Sequence, residues 1–202
     1  MSTRHSGEAR QDHDFYVDPE WCTQLLLDAE NFSGNVWDPA CGQGSILNAC
    51  MQNGIKATGS DLVDRGCGHT PVDFLKQREH RPMVSPVGNI ICNPPFKQAE
   101  AFIRQALELV GPPPRWWGSR RTAKVAMLVQ EKFLFSQRRH ALFKDHPPAA
   151  IYFLSTRPSM PPGHLLARGA VKAAGGSVNY CWIVWQRGYR GPPTCGWLIK
   201  EG

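Results

Sequence analysis

The chain has 202 residues, a formal net charge of +6 and 42% hydrophobic residues, enough apolar content for one compact core and nowhere concentrated enough to span a bilayer. Its start is polar, unlike a secretory leader, and its seven cysteines form no Cys-x-x-Cys pair and stand at no zinc-finger spacing from a histidine. That usage predicts reduced thiols in a cytoplasmic protein and no metal site, and the positive charge favours a polyanionic partner over a membrane.

In chain order, residues 1–13 read as a flexible tail. Asp18-Pro19 then caps a helix that begins at Glu20 and carries Trp21, Leu25, Leu26 and Leu27, with Pro19 in its first turn. A short strand over 34–38 leads into Asp38-Pro39-Ala40-Cys41-Gly42-Gln43-Gly44, and an apolar-periodic stretch follows to about Asn53. Strand, glycine turn and helix in that order suit a nucleotide-like cofactor, because Gly42 and Gly44 permit close backbone approach where free N–H groups gather. The turn fits neither GxxxxGK[ST] nor GxGxxG. A second strand over 56–60 ends at Asp61-Leu62, seventeen residues after Gly44, where an acid can accept from ribose hydroxyls. Residues 71–75 predict a third strand and turn holding Asp73 and Phe74.

The apolar run 87–92 predicts a buried strand that delivers Asn93-Pro94-Pro95-Phe96 at its carboxyl end. The paired prolines remove two donors, leaving the Asn93 amide oxygen and the Pro94 carbonyl to accept from an exocyclic NH2, with Phe96 able to stack on the ring that bears it. An isolated Asn-Pro-Pro reads equally as a proline-rich loop closing a strand. A helix over 97–110 follows, stopped at Gly111-Pro112-Pro113-Pro114, then a strand over 124–129, a short helix over 136–144 and strands over 150–154 and 178–185. Between the last two, residues 155–176 form a long loop with Arg157, His164, Arg168 and Lys172, expected to bind substrate or else to be a mobile excursion. Arg115-Trp116-Trp117-Gly118-Ser119-Arg120-Arg121 mixes cations with indoles, as does a nucleic-acid surface, or as a solvated loop anchored by its tryptophans would. The alternation predicts a doubly wound α/β sheet of about seven strands within a single domain, 1–202.

Together, DPACGQG at 38–44 and NPPF at 93–96, in that order, resemble the cofactor and catalytic motifs of class I S-adenosyl-L-methionine-dependent amino-methyltransferases. The Asp14-Phe15-Tyr16-Val17-Asp18-Pro19 element ahead of both is similar to that of the N6-adenine DNA methyltransferases, and segments 157–163 and 176–182 resemble phage-encoded members. The resemblance implies a Rossmann-like sheet whose last strand is antiparallel, with S-adenosylmethionine held by Tyr16, Pro19, Asp38, Pro39, Ala40, Cys41, Gly42, Gly44, Asp61, Leu62 and Asn93. It also assigns Asp73 to the cofactor's adenine amine and Phe74 to the face of its ring. Asn93, Pro94, Pro95 and Phe96 are then catalytic, and Lys97, Arg138, Arg139, Arg157 and His164 are expected to contact a nucleic acid, DNA first. Adenine in RNA, cytosine N4 or a protein glutamine amide would fit the same pocket, and a non-catalytic binding protein with this fold is the remaining alternative. One departure is Asp18, where the family more often has threonine. The other is the short spacing of 111–123, which leaves target recognition to the loop and basic segments, to a protein partner, or to none.

Overall fold

The computed structural model describes residues 16–77, 88–110, 123–161 and 176–201. Among these, seven strands form one sheet: β1 (Val36–Asp38), β2 (Ala57–Gly59), β3 (Asn89–Cys92), β4 (Lys124–Gln130), β5 (Ala150–Leu154), β6 (Tyr180–Gln186) and β7 (Thr194–Leu198), in the order β2-β1-β3-β4-β6-β5-β7. β6 runs antiparallel to both β4 and β5, and the remaining described pairings are parallel. The opposed strand is thus the 178–185 run, the last strand legible in the sequence, and β7 follows it at the edge.

Successive residues of the central strands feed two separate cores, as a sheet covered on both faces requires. Ile90, Val125, Met127, Ile183 and Trp185 pack with Phe102, Ile103 and Ala106 of α3 (Ala99–Leu109) and Leu142 of α4 (His140–Asp145). Ile91, Ala126, Leu128, Trp182 and Val184 pack with Cys22 and Leu26 of α1 (Glu20–Ala29) and Ile46 and Cys50 of α2 (Ser45–Gln52). Trp182, fully buried, also donates its indole N–H to the Cys22 carbonyl at 2.8 Å. At the far end of α1, Glu30 accepts from Lys124 Nζ and from the Tyr152 hydroxyl, tying that helix to β4 and β5.

Two expectations need correction. Residues 71–75 hold no strand; Asp73 instead caps a 3-10 turn over Phe74–Lys76 by accepting from Leu75 N–H at 3.1 Å. Asp18 does not cap α1, whose N-cap is Pro19 in extended conformation with no side-chain cap bond. The predicted tail, the 115–121 segment and His164, Arg168 and Lys172 lie outside the described residues.

Candidate active site

Parallel pairing of β2, β1 and β3 sets their carboxyl ends side by side, which is where ligands bind in open α/β sheets. A cavity of about 580 Å³ opens there, within the range of small-molecule sites. Three chain segments build its floor.

The first is the glycine turn between β1 and α2. Cys41 N–H bonds Ser60 O at 3.0 Å, Ser60 N–H bonds Asp38 O at 2.9 Å, and Gly42 N–H donates to the Asp61 carboxylate at 2.9 Å. Gly44 is the N-cap of α2 with φ of 90°, and a Cβ there would stand 2.8 Å from Cys67 Sγ. Both the left-handed backbone and the close thiol demand glycine. Gly44→Ala should therefore cost about 1–2 kcal/mol in urea denaturation, and a smaller loss would mean the turn relaxes freely.

Asp38 lies beneath this turn and outside the cavity lining. It is 1% exposed, accepts from Ala40 N–H at 3.2 Å and bonds the Cys92 thiol. Burial holds its carboxyl well above the usual range, the Ala40 bond partly offsets this, and the charge of Asp18 adds to the rise. Gly44 and Pro19 also stand outside the lining, whereas Pro39, Ala40, Cys41, Gly42, Asp61, Leu62, Asp73 and Phe74 are in it.

The second segment follows β2. Asp61 is 7% exposed, and its two oxygens accept one backbone N–H each, from Gly42 at 2.9 Å and Val63 at 3.0 Å. Arg65 Nε also stands 3.9 Å from Oδ1, and since a carboxylate has about four acceptor positions, acceptor capacity remains on Oδ2. Asp73 pairs with Lys76 at 3.0 Å. Phe74, 2% exposed, meets Trp37 edge-on at 5.3 Å and Phe102 at 4.9 Å, so most of its ring is core.

The third segment is the motif after β3. Asn93, Pro94, Pro95, Phe96 and Lys97 all line the cavity. Asn93 Nδ2 donates to Asp18 Oδ1 at 3.2 Å, while Asn93 Oδ1 is buried without a hydrogen-bond partner. Such an orphan acceptor costs about 1–3 kcal/mol and calls for an explanation. Tyr16 stacks on Phe96 with centroids 5.0 Å apart and ring planes 25° from parallel, and Tyr180 stands 6.0 Å from Phe96 at a tilt of 42°.

Asp18 was absent from the sequence-derived site, although it lines the cavity at 8% exposure. The only signal for it was an acid at a position where the family more often has threonine. Burial raises its carboxyl to about 6, against a partial offset from the Asn93 bond.

Of the predicted substrate cations among the described residues, Arg138, Arg139 and Arg157 stand outside the cavity lining, whereas Lys97 is in it and exposed. Arg139 lies over the Phe133 ring at 4.1 Å, donates to Phe133 O at 3.2 Å and approaches Glu100 of α3 at 3.9 Å. It therefore holds the segment after β4 against the helix that follows the motif. On that segment Arg138 is exposed and Phe135 is 78% exposed. Arg157 is exposed and donates to Asn179, which donates to Glu131. Among the described residues no three metal-capable side chains converge, and no helix is long and apolar enough to cross a membrane.

Neither a protein-family model nor a curated protein sequence matches the chain. Solved structures do. A protein of Vibrio vulnificus YJ016 assigned as the modification subunit of a type I restriction enzyme aligns over 98% of this chain and 49% of its own, with a TM-score of 0.62 and 15% identity. A protein of Pyrococcus horikoshii assigned as an RNA methyltransferase aligns over 82% of this chain and 80% of its own, with a TM-score of 0.52 and 14% identity. The M protein of the type I restriction enzyme EcoKI aligns over 87% of this chain and 44% of its own, again with a TM-score of 0.52 and 14% identity. The chain spans about half the length of the Vibrio protein and shares with these proteins a Rossmann-like α/β fold.

Proposed function

We propose that this chain transfers a methyl group from S-adenosyl-L-methionine to an exocyclic amine, most specifically N6 of adenine in DNA. The observation that carries the reading is the unpartnered, buried Oδ1 of Asn93, a residue that lines the same cavity as the glycine turn and Asp61. The fold likeness to the modification subunits and the RNA methyltransferase supports the reaction class, and the exposed Lys97, Arg138 and Arg157 on the carboxyl-end side support a polyanionic substrate.

The residues present suit the cofactor. Asp61 retains acceptor capacity for ribose hydroxyls, and Asp73 lies further along the wall, in a lining whose acids Asp18, Asp61 and Asp73 are matched by Arg65, Lys76 and Lys97. When bound, S-adenosylmethionine supplies an electrophilic methyl on a sulfonium and needs no metal.

An adenine amine is a weak nucleophile because its lone pair is delocalised into the ring. Asn93 Oδ1 and the Pro94 carbonyl would accept its two hydrogens, which favours a pyramidal nitrogen and aims the lone pair. Positioning and electrostatics therefore supply the rate. A base within a duplex cannot enter, so it arrives extruded or from a single strand and meets Phe96.

Labelled cofactor offered together to duplex DNA, single-stranded DNA, RNA and a protein extract tests the assignment. Label recovered as N6-methyladenine from digested DNA is the expected result. Label in RNA, in cytosine or in glutamine would move the substrate, and no label with no cofactor binding by calorimetry would remove the enzyme reading.

A further inference from the structure

We infer that Asp18 is the positioning residue that turns the Asn93 amide so that its oxygen, and not its NH2, faces an incoming amine. This rests on the amine-acceptor role of Asn93 proposed above and adds a residue to it. Asn93 Nδ2 donates to Asp18 Oδ1 at 3.2 Å, joining positions 75 residues apart in the chain, and both side chains line the cavity.

A side-chain amide has a donor end and an acceptor end of nearly equal shape, and its partners alone decide which way it points. An ionised carboxylate can only accept. It therefore draws the NH2 end to itself and leaves Oδ1 turned away, buried and unpartnered. A threonine hydroxyl in place of Asp18 could either donate or accept, and would leave both orientations open. Asp18 itself is 8% exposed, and its Oδ2 is also buried without a partner, so little else in the surroundings competes for the amide.

The surroundings make this arrangement sensitive to protonation. Asp38 at the end of β1 and the thiols of Cys22 in α1 and Cys92 in β3 face Asp18, and Lys200 acts on Cys22. Among the described residues no salt bridge reaches Asp18. Burial places its carboxyl at about 6. Once protonated it becomes a donor, the Asn93 amide can turn over to accept from it, and the oxygen meant for the amine is consumed.

The test uses the full chain as wild type, Asp18→Asn and Asp18→Ala, each checked for folding by circular dichroism. Wild-type kcat should fall by about tenfold per pH unit below about 6, the behaviour of one essential ionisation. Asp18→Ala should lower kcat by ten- to a hundredfold with cofactor KM little changed, an order set by lost positioning. Asp18→Asn, which can accept or donate but cannot ionise, leaves both amide orientations open at every pH and should lose only severalfold and show no acid limb. In parallel, the Asn93 side-chain amide resonance, identified by its disappearance in Asn93→Asp, should titrate near pH 6 in the wild type and stay fixed in Asp18→Asn. Unchanged kcat and acid limb in both Asp18 variants, or an Asn93 resonance that does not titrate in the wild type, would overturn the inference. If the wild type transfers no methyl to any substrate, the proposed function fails, and the resonance alone decides whether Asp18 orients Asn93.

Discussion

Asn93→Ala is expected to lower kcat for methyl transfer by about 10³-fold or more while leaving S-adenosylmethionine affinity within a few-fold of wild type. The asymmetry follows from where the atoms lie. The glycine turn and Asp61 form one wall of the cavity through Gly42 N–H and the Asp61 carboxylate, and that bond does not involve Asn93. Deleting the amide removes the buried acceptor Oδ1 and the donor to Asp18, and creates no clash. Asn93→Asp is a sharper companion: it keeps the volume but sets a second carboxylate against Asp18, so one of the pair must take up a proton. Transfer of tritiated methyl by Asn93→Ala at a tenth of the wild-type rate or better would remove Asn93 from the chemistry.

A second large effect concerns stability, and it runs opposite to activity. Burial lifts the Asp18 carboxyl from 3.8 to about 6, so folding favours its protonated form. Its contribution is fully present below the unfolded value and is lost as pH rises through about 6, where the folded chain must hold a buried ion. That penalty is on the order of 3 kcal/mol above pH 6. Asp18→Asn should therefore be the more stable protein at pH 8, by about 2 kcal/mol once an unpaired amide hydrogen is allowed for, with the gap closing towards pH 4. Asp38 moves in the same direction, because burial raises its pKa and the charge of Asp18 adds to the rise. Urea titrations at the two pH values measure both gaps, and a variant less stable than wild type at pH 8 would refute the assignment of Asp18 as a strained, functional acid.

The legible parts of this fold were those with local causes. β3 and β4 are apolar runs bounded by glycine, proline or polar residues, and α3 shows its apolar face at helical spacing. The 71–75 segment imitates a strand because its burial is real but its period is not. Phe74 is buried between Trp37 and Phe102, while Asp73 supplies a cap that no apolar pattern displays. β7 escaped because an edge strand has little to hide: Thr194, Cys195 and Trp197 are exposed. Its Gly196, which locally argues against a strand, is there because a Cβ would meet the Tyr152 ring at 2.9 Å. In the site, the glycine turn, Asp61 and the NPPF motif were readable as short strings. The pairing of Asp18 with Asn93 was not, since it depends on the sheet bringing the head of α1 to the end of β3.

The stack of Tyr16 on Phe96 sets a limit on how the motif can choose its ligand. One face of the phenylalanine is already covered and Tyr180 stands 6.0 Å from the same ring, so an arriving ring either fits beside Tyr180 or exchanges places with Tyr16. In an exchange, the net gain is the difference between two aromatic contacts, each worth only about 0.5–1.5 kcal/mol beyond burial. The ring of a base would then be nearly silent in the equilibrium, and discrimination would fall on the two hydrogens of its amine. An amine already carrying one methyl offers a single hydrogen, and such a product would be released for want of a second bond.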